Sequence, residues 1–293
     1  MKPIKKFIQR IIERLRWIHV VSFRLSADKK SAVKLVLGGL LFFLTDRGKS
    51  RLLFKADIRY NGTVRSFYFN DLTDFGLFYE IFSEDSYEFY EPEEINTIID
   101  LGANIGVSAL YFGLRYPSAE IHCFEPDPNN FSQLRKNVQL WGGTKIHDVA
   151  IWDKNGEMTF YPDPHRGSSS LLVSTNGRDK EEMTASGNGQ ETGNNGRHAA
   201  DKERVTVKTK TLDQILDELN IDTVDLLKFD IEGAEEKVFN NFKSFDRIQR
   251  MIGELHGDRC NTRKIIDKIR NHFDNVEITS MNKHKRFYLK ATK

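Results

Sequence analysis

The chain has 293 residues, 39% of them apolar and 29% charged, with a mean hydropathy of −0.51. That is enough apolar material for a substantial core, so the chain as a whole is not disordered. Seven Pro and 20 Gly without a three-residue glycine period exclude a collagen-like rod. Two cysteines, Cys123 and Cys260, have no C-x-x-C spacing and cannot staple a secreted mini-protein, which points to a reducing, cytoplasmic setting. Residues 1–30 hold nine Lys/Arg against Glu13 and Asp28, a net +7, so the other 263 residues carry −5 of the chain's +2. A mildly acidic body argues against nucleic acid as a partner.

The first 50 residues form a basic leader. Ile4, Phe7, Ile8, Ile11, Ile12, Leu15 and Ile18 recur at helical spacing, with Lys5, Lys6, Gln9, Arg10, Glu13 and Arg14 on the other face. Charge and apolarity are interleaved here, unlike a cleavable signal, and the uncharged run Leu35–Leu44 is far short of a ~20-residue span. Two readings stand: helices packed on the body or on a second subunit, giving a homo-oligomer, or a basic amphipathic helix in residues 1–30 lying peripherally on the inner membrane surface. Residues 51–93 follow as a hairpin turning at Asn61-Gly62, then one or two short helices carrying Phe75, Phe78, Tyr79 and Phe82 on one face.

From residue 94 to 293 strands and helices alternate. Strands are predicted at 96–101, 119–125, 144–150, 224–230, 249–255, 275–280 and 286–291, and helices at about 105–115, 128–140, 211–219, 232–241 and 261–272. Apolar strands such as TIIDL and DLLKF predict a mostly parallel seven-stranded α/β sheet with helices on both faces and a C-terminal antiparallel hairpin. Short strands near 156–161 and 204–208 flank residues 174–204, which contain no Val, Ile, Leu, Phe, Tyr or Trp and are predicted to be a disordered polar insertion.

The chemistry gathers at the strand ends. The first core strand runs into Asp100-Leu-Gly-Ala-Asn-Ile-Gly106, where Gly102 and Gly106 allow a sharp turn and close backbone approach to a ligand. A carboxylate at Asp100 disfavours a pyrophosphate, and the dinucleotide pattern G-x-G-x-x-G is absent. An adenosyl cofactor with an amino-acid tail therefore fits better than NAD. Glu125 ends the second strand, where an acid accepts from both ribose hydroxyls; Asp127 and Pro128 read as the start of a helix. Asp148, at the end of the third strand, is a candidate acceptor for an adenine amino group. The fourth strand delivers Lys228, Asp230 and Glu232 to the same edge, and the fifth delivers His256. Glu235 reads as a residue that merely favours the first turn of its helix.

DLGANIG at 100–106, FEPDP at 124–128, SSSLL at 168–172, TLD at 211–213 and LLKFDIEGAE at 226–235 resemble the FkbM-type class I methyltransferases, over a span from about Thr73 to the C-terminus. The resemblance implies a Rossmann-like fold and a methyltransferase dependent on S-adenosylmethionine, usually an O-methyltransferase of sugar, glycan or small-molecule hydroxyls. It places the cofactor on Asp100, Gly102, Asn104, Gly106, Glu125 and Asp148. Candidates for activating the hydroxyl are Asp230, Lys228 and His256, the last because an unperturbed imidazole titrates at ~6.5, and Lys228 is equally readable as a structural partner of an acid. Glu232 and Ser169 are candidate acceptor contacts. Two neighbouring acids, Asp230 and Glu232, are thin evidence for a divalent metal, and none is expected. Methylation of RNA or protein, a silent cofactor-binding protein and a NAD-linked enzyme are the alternatives. Asp100→Asn and Gly102→Val are expected to abolish cofactor binding and leave the fold mostly intact.

Overall fold

A computed structural model describes residues 2–45, 53–83, 86–88, 94–161, 170–174, 180–181, 204–281 and 286–293. Most of the polar stretch 174–204, and Ser169, lie outside the described residues. The chain divides into two units, one of residues 1–96, 105–121 and 132–145, the other of 97–104, 122–131 and 146–293.

The first unit opens with α1 (Lys2–Arg24) and α2 (Lys29–Thr45), followed by the hairpin β1 (Phe54–Tyr60) and β2 (Thr63–Phe69) and by α3 (Leu72–Ser83). Asn61 and Gly62 both have positive φ, the type I′ geometry that matches the twist of the flanking strands, so the predicted turn is the observed one. Phe67, Phe69, Phe75 and Phe78 are fully buried, and Phe67 and Phe69 each meet the Phe78 ring with centroids 4.9 Å apart. Burying each such ring contributes roughly 1.5–3 kcal/mol. The second half of α1 joins this core through Ile18, Val21 and Leu25, and a Cβ on Gly39 of α2 would meet Ile18 at 2.9 Å. The first half of α1 does not: Ile4, Phe7, Ile8, Ile12 and Leu15 are exposed alongside Lys5, Lys6 and Arg10. Among the described residues, no helix is long and apolar enough to cross a membrane.

Later elements are β3 (Thr97–Leu101), α4 (Val107–Arg115), β4 (Glu120–Phe124), α5 (Pro128–Val138), β5 (Thr144–His147), β6 (Ala150–Ile151), β7 (Gly156–Tyr161), β8 (Ser170–Ser174), β9 (Lys180–Glu181) and β10 (Val205–Lys210). They are followed by α6 (Leu212–Glu218), β11 (Leu226–Phe229), α7 (Glu235–Asn241), β12 (Arg250–His256), α8 (Thr262–Arg270), β13 (Asn275–Met281) and β14 (Arg286–Thr292). The second unit is built on a sheet of order β13-β14-β12-β11-β3-β4-β5. β3, β11 and β12 are mutually parallel, while β14 runs antiparallel to both β12 and β13. The expected mostly parallel seven-stranded sheet is thus present. The C-terminal hairpin closes it with the last strand inserted beside β12. The chain steps outward from β3 to β4 and β5, then returns to lay β11 on the other side of β3, which makes the β3–β11 seam the topological switch point.

A second sheet, β6-β10-β7-β8-β9, gathers the short strands beside the polar stretch. β9 pairs with β8 through Val173↔Glu181 and Ser174↔Lys180, so part of the segment predicted to be disordered carries backbone pairing.

Candidate active site at the strand ends

The register of the central strands brings the chemistry together. Lys228 lies opposite Asp100 and Phe229 opposite Leu101, and Phe229 also faces Gly253 on β12, so the residues after these strands emerge at one edge. The Asp230 N–H donates to the Leu101 carbonyl at 3.0 Å, which ties the two strand ends together beyond the ladder. Gly102 has φ +76, and a Cβ there would sit 1.9 Å from the Asp230 carbonyl oxygen. A side chain at this position displaces the backbone that carries Asp230. The expectation that Gly102→Val spares the fold is therefore corrected.

Lys228 is buried, with its ammonium 2.9 Å from Asp100 Oδ1 and donating to the Gly102 carbonyl at 2.8 Å. Burial is the strongest single influence and would lower its pKa, but the Asp100 carboxylate together with the charges of Asp230 and Glu125 outweighs it and raises it. A fully charged ammonium seated on a carboxylate and a carbonyl stays protonated. The geometry therefore favours the structural side of the two readings for Lys228. The pair spans the β3–β11 seam, and it fixes the Gly102 turn.

Glu125 follows β4 directly and is 5% exposed. Its Oε2 accepts from Asn104 N–H and its Oε1 from Asp127 N–H, both at 2.8 Å. Burial raises its pKa to about 7 in spite of these two backbone donors. Asp127 caps α5, accepting from Asn129 N–H at 2.8 Å, and Pro128 is the first residue of that helix, as predicted. Asn104 adopts φ +50, and its buried Oδ1 has no hydrogen-bond partner. Asp148 comes one residue after β5 and is exposed. Gly106, with φ +95, leads into α4 and belongs to the first unit, where a Cβ would meet Leu134 at 2.8 Å.

His256 closes β12 and is fully buried. Its Nδ1 lies 2.8 Å from Glu235 Oε1, and its Nε2 lies 3.4 Å from Glu232 Oε2 and 3.8 Å from Asp230 Oδ1 without a hydrogen bond to either. Burial alone would lower the His256 pKa, but the hydrogen bond to Glu235 and the charges of Glu235, Asp230 and Glu232 carry it up to about 9. The expected imidazole poised near neutrality is thus not what this environment produces. Glu232, at φ +52, has its pKa raised to about 7 by burial and by Asp230, against the pull of His256, Arg259 and Arg286. Its carboxylate accepts from Arg259 Nη1 at 2.6 Å, and Arg286 Nη2 stands 3.8 Å away.

Sequence reasoning missed Glu235, Arg259, Arg286 and Glu254. Glu235 does begin α7, as its helix-start reading predicts, and it also holds the His256 ring while accepting from Gly233 N–H at 3.1 Å. A buried imidazole needs a partner, and that need was the available signal. Arg286 faces His256 only because β14 inserts antiparallel to β12, a pairing that strand periodicity does not reveal.

The β5-β4-β3-β11-β12 order, the glycine turn after β3 and the acid after β4 define a Rossmann-like protein of the class I methyltransferase type. Residues 100–283 match the model of the methyltransferase FkbM domain, and the chain belongs to this family. It is 31% identical over 168 residues to 2-O-methyltransferase NoeI of Sinorhizobium fredii, a match covering 55% of this chain and 63% of that protein. It is 28% identical to 31-O-demethyl-FK506 methyltransferase FkbM of Streptomyces tacrolimicus over 67% of this chain and 80% of that one. It is also 24% identical to hexuronic acid methyltransferase AglP of Haloferax volcanii, over 68% of this chain and 72% of that protein.

Proposed function

We propose that the protein is an O-methyltransferase that moves the methyl group of S-adenosylmethionine to a hydroxyl of a sugar, glycan or other small metabolite. The observation that carries this reading is the juxtaposition, along one sheet edge, of the Gly102 turn and Glu125 with the acidic cluster after β11. The residues fit an adenosyl cofactor. Gly102 leaves its turn open to close approach, Asn104 Oδ1 is buried without a partner, and each Glu125 oxygen retains a lone pair beyond its backbone donor for a ribose hydroxyl. Asp148, exposed after β5, is assigned to the adenine end.

S-adenosylmethionine supplies a methyl group already activated by its sulfonium. The protein's task is to orient and desolvate the acceptor and to receive its proton. Asp230, whose side chain is 29% exposed while His256 is closed off, is the group that meets the acceptor. With the cofactor bound, the acceptor oxygen would take the methyl carbon as its bond to sulfur breaks and the sulfur leaves as a neutral thioether, and the Asp230 carboxylate would receive the hydroxyl proton. Glu232, held by Arg259, contributes an acceptor contact, and Lys228 is a positioning residue that fixes Asp100 and the Gly102 turn. The three relatives, whose names carry methyl transfer to a numbered oxygen or to a hexuronic acid, support a small hydroxyl acceptor.

The test pairs calorimetry with transfer of labelled methyl groups. S-adenosylmethionine should bind while NAD does not, Glu125→Ala should weaken that binding, and label should enter sugars or nucleotide sugars. Label entering only RNA or protein would overturn the acceptor, and absent cofactor binding would overturn the whole reading.

The exposed stretch of α1 supports a second, separate proposal. Ile4, Phe7, Ile8 and Ile12 exposed among Lys5, Lys6 and Arg10 form an amphipathic surface suited to an anionic bilayer, so this helix is read as a peripheral anchor.

A further inference from the structure

We propose that Asp230, Glu232 and His256 form a binding site for a divalent cation, the device by which the acceptor hydroxyl is held and activated. This inference rests on the methyl-transfer reading for its purpose, although the site itself stands on geometry alone. Each of the three residues offers one ligand atom, and these atoms lie within 4.8 Å of one another. A cation with bonds of about 2.1 Å holds neighbouring ligand atoms about 3 Å apart and opposite ones about 4.2 Å apart. The separations of 3.4 Å and 3.8 Å from His256 Nε2 fall inside that range.

Two acids after a strand would not carry a metal site. The independent observation is the imidazole. His256 is 0% exposed, and its Nε2 faces the acids without a hydrogen bond, as does Asp230 Oδ1. On its other side Nδ1 is held at 2.8 Å by Glu235, itself fully buried. A carboxylate behind Nδ1 keeps the proton on that nitrogen and fixes the ring, so a cation that displaces the Nε2 proton meets an oriented lone pair, the arrangement by which metal-binding histidines are held. Charge points the same way. Asp230, Glu232, Glu235 and Glu254 surround the ring against only two guanidinium groups, Arg259 and Arg286, so carboxylates outnumber arginines here four to two. A dication cancels that excess. Buried uncompensated charge is costly, and neutralising it is a source of affinity.

The donor set of two carboxylate oxygens and one imidazole suits a cation of the Mn²⁺, Mg²⁺ or Zn²⁺ class with open positions left for acceptor oxygens. Glu232 Oε2, the oxygen 3.4 Å from Nε2, also accepts from Arg259 Nη1 at 2.6 Å, and its second lone pair is the one that would face the cation. Asp230 needs only one oxygen for the cation, and its second remains to take the acceptor's proton. Hydroxyl coordination lowers the hydroxyl pKa, which eases that transfer.

The experiment titrates Mn²⁺ into the full chain, freed of metal by chelation, and reads bound ion by electron paramagnetic resonance, with S-adenosylmethionine affinity measured in parallel. The expected result is one tight equivalent in the wild type, weakened at least tenfold in both Asp230→Asn and His256→Gln, with cofactor affinity unchanged. Because His256→Gln could disturb the core, the milder Glu235→Gln is included, expected to weaken Mn²⁺ roughly 10–100-fold through loss of ring orientation. Equal Mn²⁺ affinity in wild type and all three variants, or full methyl-transfer rate in excess chelator, overturns the proposal. Failure of the methyltransferase reading would show differently, as absent cofactor binding beside an intact Mn²⁺ titration.

Discussion

The carboxylate of Glu125 offers a prediction in which stability and cofactor affinity move in opposite directions with pH. In the fold its pKa is raised to about 7 by burial, against an ordinary value of 4.5. Holding its proton more tightly than the unfolded chain does is worth roughly 3 kcal/mol for this buried carboxyl. For an acid whose pKa is raised on folding, the native state keeps a proton that the unfolded chain has lost. Stability from this site is thus fully present below pH 4.5 and is lost as pH rises to about 7. Other carboxylates titrate in the same window, so the measurement is a difference between wild type and Glu125→Gln. Urea unfolding at half-unit steps from pH 4.5 to 7.5 should show wild-type stability falling relative to the variant by about 1.4 kcal/mol per pH unit, roughly 3 kcal/mol in all. Ribose hydroxyls donate to the ionised form, so wild-type affinity for S-adenosylmethionine should instead weaken about tenfold per unit below pH 7, while Glu125→Gln binds weakly and with a flat profile. Parallel stability curves for the two proteins would refute the reasoning about burial. A pH-independent wild-type affinity would refute the role of the carboxylate in binding.

Gly102→Ala should destabilise the chain by roughly 3 kcal/mol or more, since its Cβ meets the Asp230 carbonyl at 1.9 Å and φ is +76. A urea midpoint within error of wild type would show that the β3–β11 seam opens more easily than its packing implies. Removing residues 2–15 should release the protein from vesicles containing phosphatidylserine without changing thermal stability, because the residues from Ile4 to Glu13 are almost wholly exposed. Unaltered co-sedimentation would reject the anchor, and a large loss of stability would mean that the segment packs against the body.

Much of the fold was legible because it rests on local patterns. Apolar strands alternating with amphipathic helices, Asn61-Gly62 with its paired positive φ, and Asp127-Pro128 at the head of α5 are short-range signals, and each is realised where the pattern placed it. The gathering of the candidate residues at one sheet edge was legible for a related reason. Parallel strands present their carboxyl ends together, so Gly102, Glu125 and Asp230 could be gathered from their positions at strand ends alone.

What only the tertiary structure decided depends on register and on partners distant in the chain. Lys228 and Asp230 share a strand and a face by sequence, yet pairing β11 with β3 seats the lysine directly on Asp100, while Asp230 acts on it only through its charge. Glu235 was readable only as a helix-start residue until β12 brought His256 to 2.8 Å from it. Arg286, some 30 residues from His256, faces it because the final strand runs antiparallel into the sheet. Sequence periodicity specifies which face of an element is buried. The identity of a buried group's partner is set by strand order and register, and from these follow the acids that surround the imidazole.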